Sequence, residues 1–462
     1  MSATSPFDRS RAPAPGPVRP FGLPEVHRSA LDNGLSVLAA RHGRLPVVTA
    51  ALVLEGGAAG DPPAKAGLAY LVAGALDAGT RRRSADDLAW ELERLGVEFE
   101  ADPRWDGVIL SIVAPRERLE LALDLFAEIV REPAFPLEEI DRLRNEQLAE
   151  ILQRQKEPRA LAADMAARFI FGQDVPYCRP LLGTSLTVRG LGPVDVEGFY
   201  RGWYAPRGAA LLMVGDIDAD AARDLARARF GDWTGEPHPR PAFEVSRAVE
   251  RATVFIVDRP GSVQSELRVG DVGLARSHED YFPLQVMNAL LGGAFTSRLN
   301  MSLRERHGFT YGVHSGFAFR RQPGPFQIQT AVATDVTARA VEEILREVHR
   351  LRDEAAPDEE VAAARDYLAG TLPLELQTTD QLAARLADLV LYDLPDDYFD
   401  TYRERILAVT PADVQRVARA HLRPERFALV VVGDARAIAP PLEALGAGPV
   451  EVHHVEAEGS PA

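Results

Sequence analysis

The chain has 462 residues, of which 46% are hydrophobic and 26% charged, an ordinary globular composition at a length that predicts two or more domains. A formal net charge of −16 disfavours a nucleic-acid-binding surface, and the lone Cys178 excludes an intrachain disulfide and a thiolate zinc cluster. No apolar run reaches the ~18 residues of a bilayer span, and no signal-peptide core is visible, so a cytoplasmic protein is expected, with a periplasmic one left open.

The first elements follow from local patterns. Residues 1–24 are Pro-rich and polar, and we expect a disordered arm. The apolar segments "LSVLAARHG" and "PVVTAALVLEGG" predict strands, and a helix is expected around 64–77. The segment "SADDLAWELERLG" (84–96) begins with a Ser N-cap and ends at Gly, which predicts a bounded helix.

The chain contains an internal repeat. "PVDVEGFYRGWYAPRGAALLMVGD" (193–216) aligns without a gap with "PADVQRVARAHLRPERFALVVVGD" (411–434). Pro193 matches Pro411, and Gly215-Asp216 match Gly433-Asp434 at the same spacing. We therefore predict a duplicated α+β unit.

Domain boundaries follow from this repeat and from composition. The first domain is placed at 25–232 and the second at 251–440, with a Pro-interrupted linker at 233–250 and a tail at 441–462. Each domain is expected to be a mostly antiparallel sheet packed by helices on one face.

Two motifs and the opening strands carry a family resemblance. "GLAYLVAGALDAGT" (67–80) and "GGAFTSRLNMSLRERHGFTYGVHSGF" (292–317) resemble segments of the M16 metallopeptidases, the insulinase, pitrilysin and mitochondrial processing peptidase family. The resemblance extends from about residue 28 to 437 and implies two tandem M16-type domains. "GGAF" is not a phosphate loop, because no Gly-Lys-Ser/Thr follows, and it is expected to allow close backbone approach.

The family's zinc motif is degenerate here. Two His at i and i+4 of His-x-x-Glu-His would bind zinc, and the Glu would activate a water. The resemblance puts Tyr70, Ala73 and Gly74 at these three positions and Glu150 at the distant ligand position. We therefore expect no metal and no cofactor in this chain, and Glu150 is either a solvated helix acid or a functional remnant.

A second family motif is intact. By resemblance, Arg304 would bind a substrate carbonyl and Tyr311 would donate a hydrogen bond to the oxyanion. Arg304 is expected in the last turn of a helix ended by His307-Gly308, with a strand starting over 309–313. The alternatives are a solvated helix end for Arg304 and half-buried packing for Tyr311.

Three functional hypotheses result. The leading one is the non-zinc subunit of a heterodimeric M16 endopeptidase, whose partner carries His-x-x-Glu-His and supplies the zinc. The second is a pseudopeptidase with a structural or peptide-binding role, and the third is a zinc-independent hydrolase. An unfolded peptide is the expected substrate, added as a strand along "AALVLEGG" or "YGVHSGF".

Overall fold

The computed structural model describes residues 22–454, which form two six-stranded sheets with matching strand order. The first sheet has the order β1-β2-β6-β3-β5-β4, and the second has the order β12-β7-β11-β8-β10-β9. Each position of one sheet therefore has a counterpart in the other, with β12 in the place of β1.

In the described part of the first half there are six strands and eight α-helices. The strands are β1 (Val26–Ala30), β2 (Ser36–Arg41), β3 (Val47–Leu54), β4 (Glu98–Pro103), β5 (Val108–Pro115) and β6 (Ala210–Gly215). The helices are α1 (Leu68–Gly74), α2 (Ala85–Leu95), α3 (Leu119–Arg131), α4 (Leu137–Lys156), α5 (Pro158–Ile170), α6 (Ser185–Arg189), α7 (Pro193–Trp203) and α8 (Ala219–Phe230).

Up to residue 454, where the described structure ends, the second half contains six strands, seven α-helices and two π-helical segments at Ala289–Gly293 and Asn300–Arg306. The strands are β7 (Thr253–Asp258), β8 (Gln264–Val272), β9 (Val313–Phe317), β10 (Pro325–Ala333), β11 (Ala428–Gly433) and β12 (Val450–His454). The helices are α9 (Tyr281–Asn288), α10 (Thr337–Asp353), α11 (Asp358–Thr371), α12 (Thr379–Leu391), α13 (Tyr398–Ala408), α14 (Pro411–His421) and α15 (Ala435–Leu445).

The predicted α+β class and the duplication are confirmed. The repeated segments fold as α7-β6 and α14-β11, with Pro at the first helical position in both. Most strand pairs are antiparallel, while β2–β6, β7–β11 and β7–β12 are parallel.

Helix α2 has the predicted ends, because the Ser84 hydroxyl accepts from the N–H of Asp87 and Gly96 is left-handed with φ +66°.

Two predicted boundaries change, and a third lies almost entirely outside the described residues. The expected tail at 441–462 was wrong in part, because residues 450–454 pair in parallel with β7 and complete the second sheet. The helix expected over 64–77 is an α-helix only from Leu68 to Gly74. The arm at 1–24 falls almost entirely outside the described residues.

Within residues 22–454, no helix combines the length and apolar character that crossing a bilayer requires.

Each half of the chain contributes one helix that packs on the sheet of the other half. Helix α5 of the first half packs on β8 and β11 of the second sheet, and α12 of the second half packs on β3 and β6 of the first. Each sheet is thus covered on one face by helices of its own half and on the other by a helix of the opposite half. This arrangement explains why β6 and β11 are buried at every position.

A cationic contact also joins the halves. The Arg320 guanidinium of the second half lies 3.7 Å from the ring centre of Trp105 and 4.4 Å from that of Tyr177. Burial lowers the pKa of Arg320 to about 10, while Tyr177 and Asp106 favour its charge. The neighbouring Arg321 N–H donates to Asp106 at 2.9 Å. The loop before β10 is therefore fixed to the first half by stacking and by charge-assisted hydrogen bonds.

Because α5 and α12 each pack on the sheet of the opposite half, we predict that the two halves unfold together. Phe169 of α5 is 8% exposed and stacks on Phe255 of β7 with ring centres 4.0 Å apart. Phe169→Ala should lower the free energy of unfolding by about 3–5 kcal/mol through cavity formation. Calorimetry should show one shifted transition rather than two. Leu186→Ala, at a side chain that is 84% exposed, is the control and should change little. A separate, unshifted transition for the first half would contradict this prediction.

Candidate functional site

Helix α1 is the segment that resembles the family's zinc helix, and a buried carboxylate caps its N-terminus. The Asp61 carboxylate accepts the N–H groups of Gly67 and Ala69 at 2.8 and 2.9 Å and so caps the helix. Burial raises the pKa of Asp61 to about 7, against the opposing effect of these two hydrogen bonds. Gly67 has φ +95°, and a Cβ there would lie 2.4 Å from the carbonyl oxygen of Leu182, so only glycine fits.

The metal-ligand positions on this helix do not fit zinc. The Tyr70 hydroxyl donates to the Glu150 carboxylate at 3.2 Å, and burial followed by the Glu150 charge raises the pKa of Tyr70. Ala73 is 1% exposed inside the core, and Gly74 has no side chain. Across residues 22–454, no three His, Cys, Asp or Glu side chains cluster so that they could hold a metal ion. Tyr70 and Gly74 thus stand where the two imidazoles would be needed, and neither supplies one.

A cavity of about 240 Å³ remains beside this pair, lined by Tyr70, Gly74, Ala101 and Glu150 among others. A Cβ built on Gly74 would meet nothing within 4 Å, so the helix faces open space at that position. Glu150 is exposed to solvent and accepts one hydrogen bond, from Tyr70.

Arg304 and Tyr311 line one groove of about 530 Å³ in the second half. The Arg304 guanidinium lies 4.2 Å from the ring centre of Phe295, and its Nε is 3.5 Å from a Glu305 carboxylate oxygen. Tyr311 is 98% exposed. The half-buried packing considered for Tyr311 is therefore wrong, and the two side chains face the same space.

The helix that carries Arg304 is a π-helical turn anchored at both ends. The buried Glu343 carboxylate of α10 accepts from the Ser302 hydroxyl at 3.0 Å and lies 3.0 Å from His307 Nε2. The turn ends at His307 and Gly308, as predicted, with Gly308 at φ +64°. Such π-helical turns occur frequently at functional sites because they redirect side chains.

Tyr311 lies in a loop rather than at the start of a strand. The predicted strand over 309–313 was wrong, because β9 begins only at Val313. The Thr310 hydroxyl accepts the N–H of Gly312 at 3.1 Å, and the Thr330 hydroxyl donates to the carbonyl of Gly312 at 2.9 Å. These bonds fix the loop backbone on both sides of Tyr311 while its ring stays in solvent.

Of the two strands proposed for peptide pairing, β3 lies inside its sheet, whereas β9 is an edge strand whose outer side is partly occupied by asparagine side chains. β3, within "AALVLEGG", is paired with β5 and β6. The Asn300 side chain bonds both the N–H and the carbonyl of Val313, and Asn288 donates to the carbonyl of Ser315. β4 pairs only with β5 in the described part of the chain, so it is the open edge nearest to Tyr70.

The Gly pair of "GGAF" has the expected close contacts. A Cβ on Gly292 would lie 2.8 Å from the backbone nitrogen of Ser315. These glycines let the segment after α9 approach β9 closely, and Asn288 bonds to Ser315 there.

Sequence reasoning missed several residues of the groove. Arg159 of α5 lines one wall, and Arg268, Glu266 and Gln329 lie on the floor formed by β8 and β10. Period-two spacing on β8 would have placed Glu266 and Arg268 on one face. No local signal could place Arg159 there, since it comes from the other half of the chain.

Comparisons with known proteins agree with this architecture. "Insulinase (Peptidase family M16)" matches residues 37–184, and "Peptidase M16 inactive domain" matches 192–368. A Streptomyces coelicolor protein named an uncharacterized zinc protease is 28% identical over 89% of this chain and 90% of its own length. A Helicobacter pylori protein named "Non-peptidase homolog YmxG" is 21% identical over 88% of this chain and 94% of its own.

Solved structures share the fold. A Pseudomonas fluorescens structure described as a peptidase M16 inactive domain has a TM-score of 0.84 at 24% identity, covering 89% of this chain and 98% of that one. A Helicobacter pylori protease has a TM-score of 0.83 at 18% identity, covering 89% of this chain and 100% of its own. With two successive M16 matches on two homologous domains, the chain belongs to the M16 peptidase family.

Proposed function

We propose that this chain is the non-zinc subunit of a heterodimeric M16 endopeptidase and is inert alone. One observation carries the proposal: Arg304 and Tyr311 face a common open groove in a chain whose metal-ligand positions do not fit zinc. The partner is an M16 subunit with an intact His-x-x-Glu-His, which supplies the metal and the base. The substrate is an unfolded peptide, and cytoplasmic location is part of the proposal.

Tyr311 acts as a neutral hydrogen-bond donor in this scheme. Its hydroxyl is free of partners among residues 22–454, and 98% of the residue is exposed, so it can reach an oxyanion held by another subunit. A neutral phenol on a loop with a fixed backbone can stabilise developing negative charge by donating a hydrogen bond.

Arg304 positions the substrate main chain. Its guanidinium stacks over Phe295, which restricts the rotamers of a long side chain before a ligand arrives. The fixed fork of N–H donors can then bind a peptide carbonyl close to the Tyr311 hydroxyl.

An extended peptide fits the open edge of the first sheet. The edge of β4 borders the cavity beside Tyr70, and Ala101 and Pro103 of this strand line that cavity. Main-chain pairing along such an edge gives affinity with little demand on sequence, which suits unfolded substrates.

The second candidate is a pseudopeptidase with a structural or peptide-binding role. The Tyr70–Glu150 hydrogen bond favours it, because the former metal position has acquired a stable polar contact of its own. The name of the Helicobacter pylori relative, a non-peptidase homolog, points the same way. In this case the groove beside Arg304 and Tyr311 would bind peptide, and no partner subunit would cleave that peptide.

The purified chain should hold no stoichiometric zinc after dialysis against trace metal. Tyr70, Ala73 and Gly74 supply neither imidazoles nor a general base, and Glu150 alone binds zinc weakly. Metal analysis by mass spectrometry is the measurement. About one tightly bound zinc per chain would refute the reading of the α1 site.

Mixing this chain with a zinc-bearing M16 partner should produce peptide cleavage that Tyr311→Phe reduces. Losing one oxyanion donor should lower kcat by about 10²–10³, or roughly 3–4 kcal/mol. Arg304→Ala should lower kcat and also raise KM, since it removes a binding contact. Steady-state cleavage of a fluorogenic peptide measures both effects.

The chain offers a matched control for each of the two site variants. Tyr367→Phe changes an exposed tyrosine on α11, and Arg306→Ala changes an exposed arginine in the same π-helical turn as Arg304. Both should leave the rate within about twofold, as ordinary surface substitutions do. Size-exclusion chromatography checks that each variant still assembles. Near-normal rates for both site variants, or no cleavage with any partner, would favour the pseudopeptidase.

A further inference from the structure

We propose that the groove beside Arg304 and Tyr311 selects peptide segments that carry carboxylate side chains. This inference rests on the proposed function, because it names the substrate class of the same site. It follows from the charges on the groove wall and floor, and not from the Arg/Tyr pair alone.

The groove carries an excess of guanidinium groups. Arg159, Arg268 and Arg304 line it, together with His314, while Glu266 is its one lining carboxylate. Arg268 lies 3.3 Å from Glu266, so these two floor residues largely compensate each other. Arg304 lies 3.5 Å from a Glu305 carboxylate oxygen and is partly compensated, so Arg159 contributes most to the positive potential of the groove.

Arg159 is available for a ligand. It is exposed on α5, and no carboxylate among residues 22–454 forms an ion pair with it. Its backbone carbonyl accepts from Arg268 at 3.2 Å, which fixes this turn of α5 against the sheet and orients the wall. An unpaired guanidinium on a fixed backbone is a suitable receptor for a carboxylate.

The rest of the floor is uncharged. Gln264 and Gln329 lie on β8 and β10 and line the groove, and both are amides that accept or donate hydrogen bonds. An acidic side chain would therefore meet two cations on the walls and no opposing free carboxylate on the floor.

The sign of the groove is opposite to that of the whole protein. The chain has a formal net charge of −16, so an average surface position repels an acidic peptide. A cleft with low-dielectric walls focuses the local field, so the groove can attract what the remaining surface repels. Acidic segments would consequently bind in this groove with a defined location.

The test uses the full chain alone and one labelled unfolded peptide in a glutamate, a glutamine and a lysine version. Fluorescence anisotropy should show the glutamate version binding about fivefold more tightly than the glutamine version, the effect of a single ion pair. The lysine version should bind most weakly. The preference should diminish at higher salt, because the groove is open to solvent.

Single substitutions test which residue causes the preference for the glutamate version of the peptide. Arg159→Gln should remove most of the difference between the glutamate and glutamine versions, whereas Arg168→Gln, at an exposed arginine of the same helix outside the groove, should retain it. Gln264→Glu adds a carboxylate at the exposed rim without removing a contact and should also weaken the glutamate version. Circular dichroism confirms that each variant is folded.

Several results would overturn the inference: equal binding of all three versions, tighter binding of the lysine version, no measurable binding, or an unchanged preference in Arg159→Gln. These outcomes are separate from failure of the proposed function. Binding is measured without a partner and without zinc, whereas the proposed function fails when no zinc-bearing partner yields cleavage.

Discussion

The reciprocal packing of α5 and α12 is the constraint on which the rest of the molecule depends. Each helix covers a sheet of the opposite half, and each sheet has central strands that are apolar on both faces. Exposing either face would cost roughly 25 cal/mol for every Å² of apolar surface. The two homologous units are therefore held in one fixed relation by burial rather than by the linker alone.

That relation also determines the chemistry of the groove. The floor and the Arg304 wall come from the second half, while Arg159 comes from the first. The groove is complete only when α5 lies on the second sheet. Glu343, Asn300 and Thr330 then fix the π-helical turn and the loop that follows it, so that flexible side chains are presented on a rigid support.

The sequence predicted what local patterns and repetition can encode. The spacing of Pro193 and Pro411 identified the duplication, and Ser84 with Gly96 gave the ends of α2. Long-range pairing was not predictable: the exchange of α5 and α12, the return of β12 to the second sheet, and the occupation of the β9 edge by Asn288 and Asn300 all join residues far apart in sequence. For the same reason the Arg/Tyr motif was visible while Arg159 was not.

The three positions of α1 that resemble the family's zinc motif differ in how much space surrounds them. Gly74 faces open space and could accommodate a ring, and Tyr70 lies at the cavity wall. Ala73, by contrast, is enclosed by apolar side chains, so a glutamate there would bury a carboxylate without a partner. A carboxylate at position 73 would therefore require the apolar contacts of α1 to loosen, whereas a larger side chain at position 74 would not.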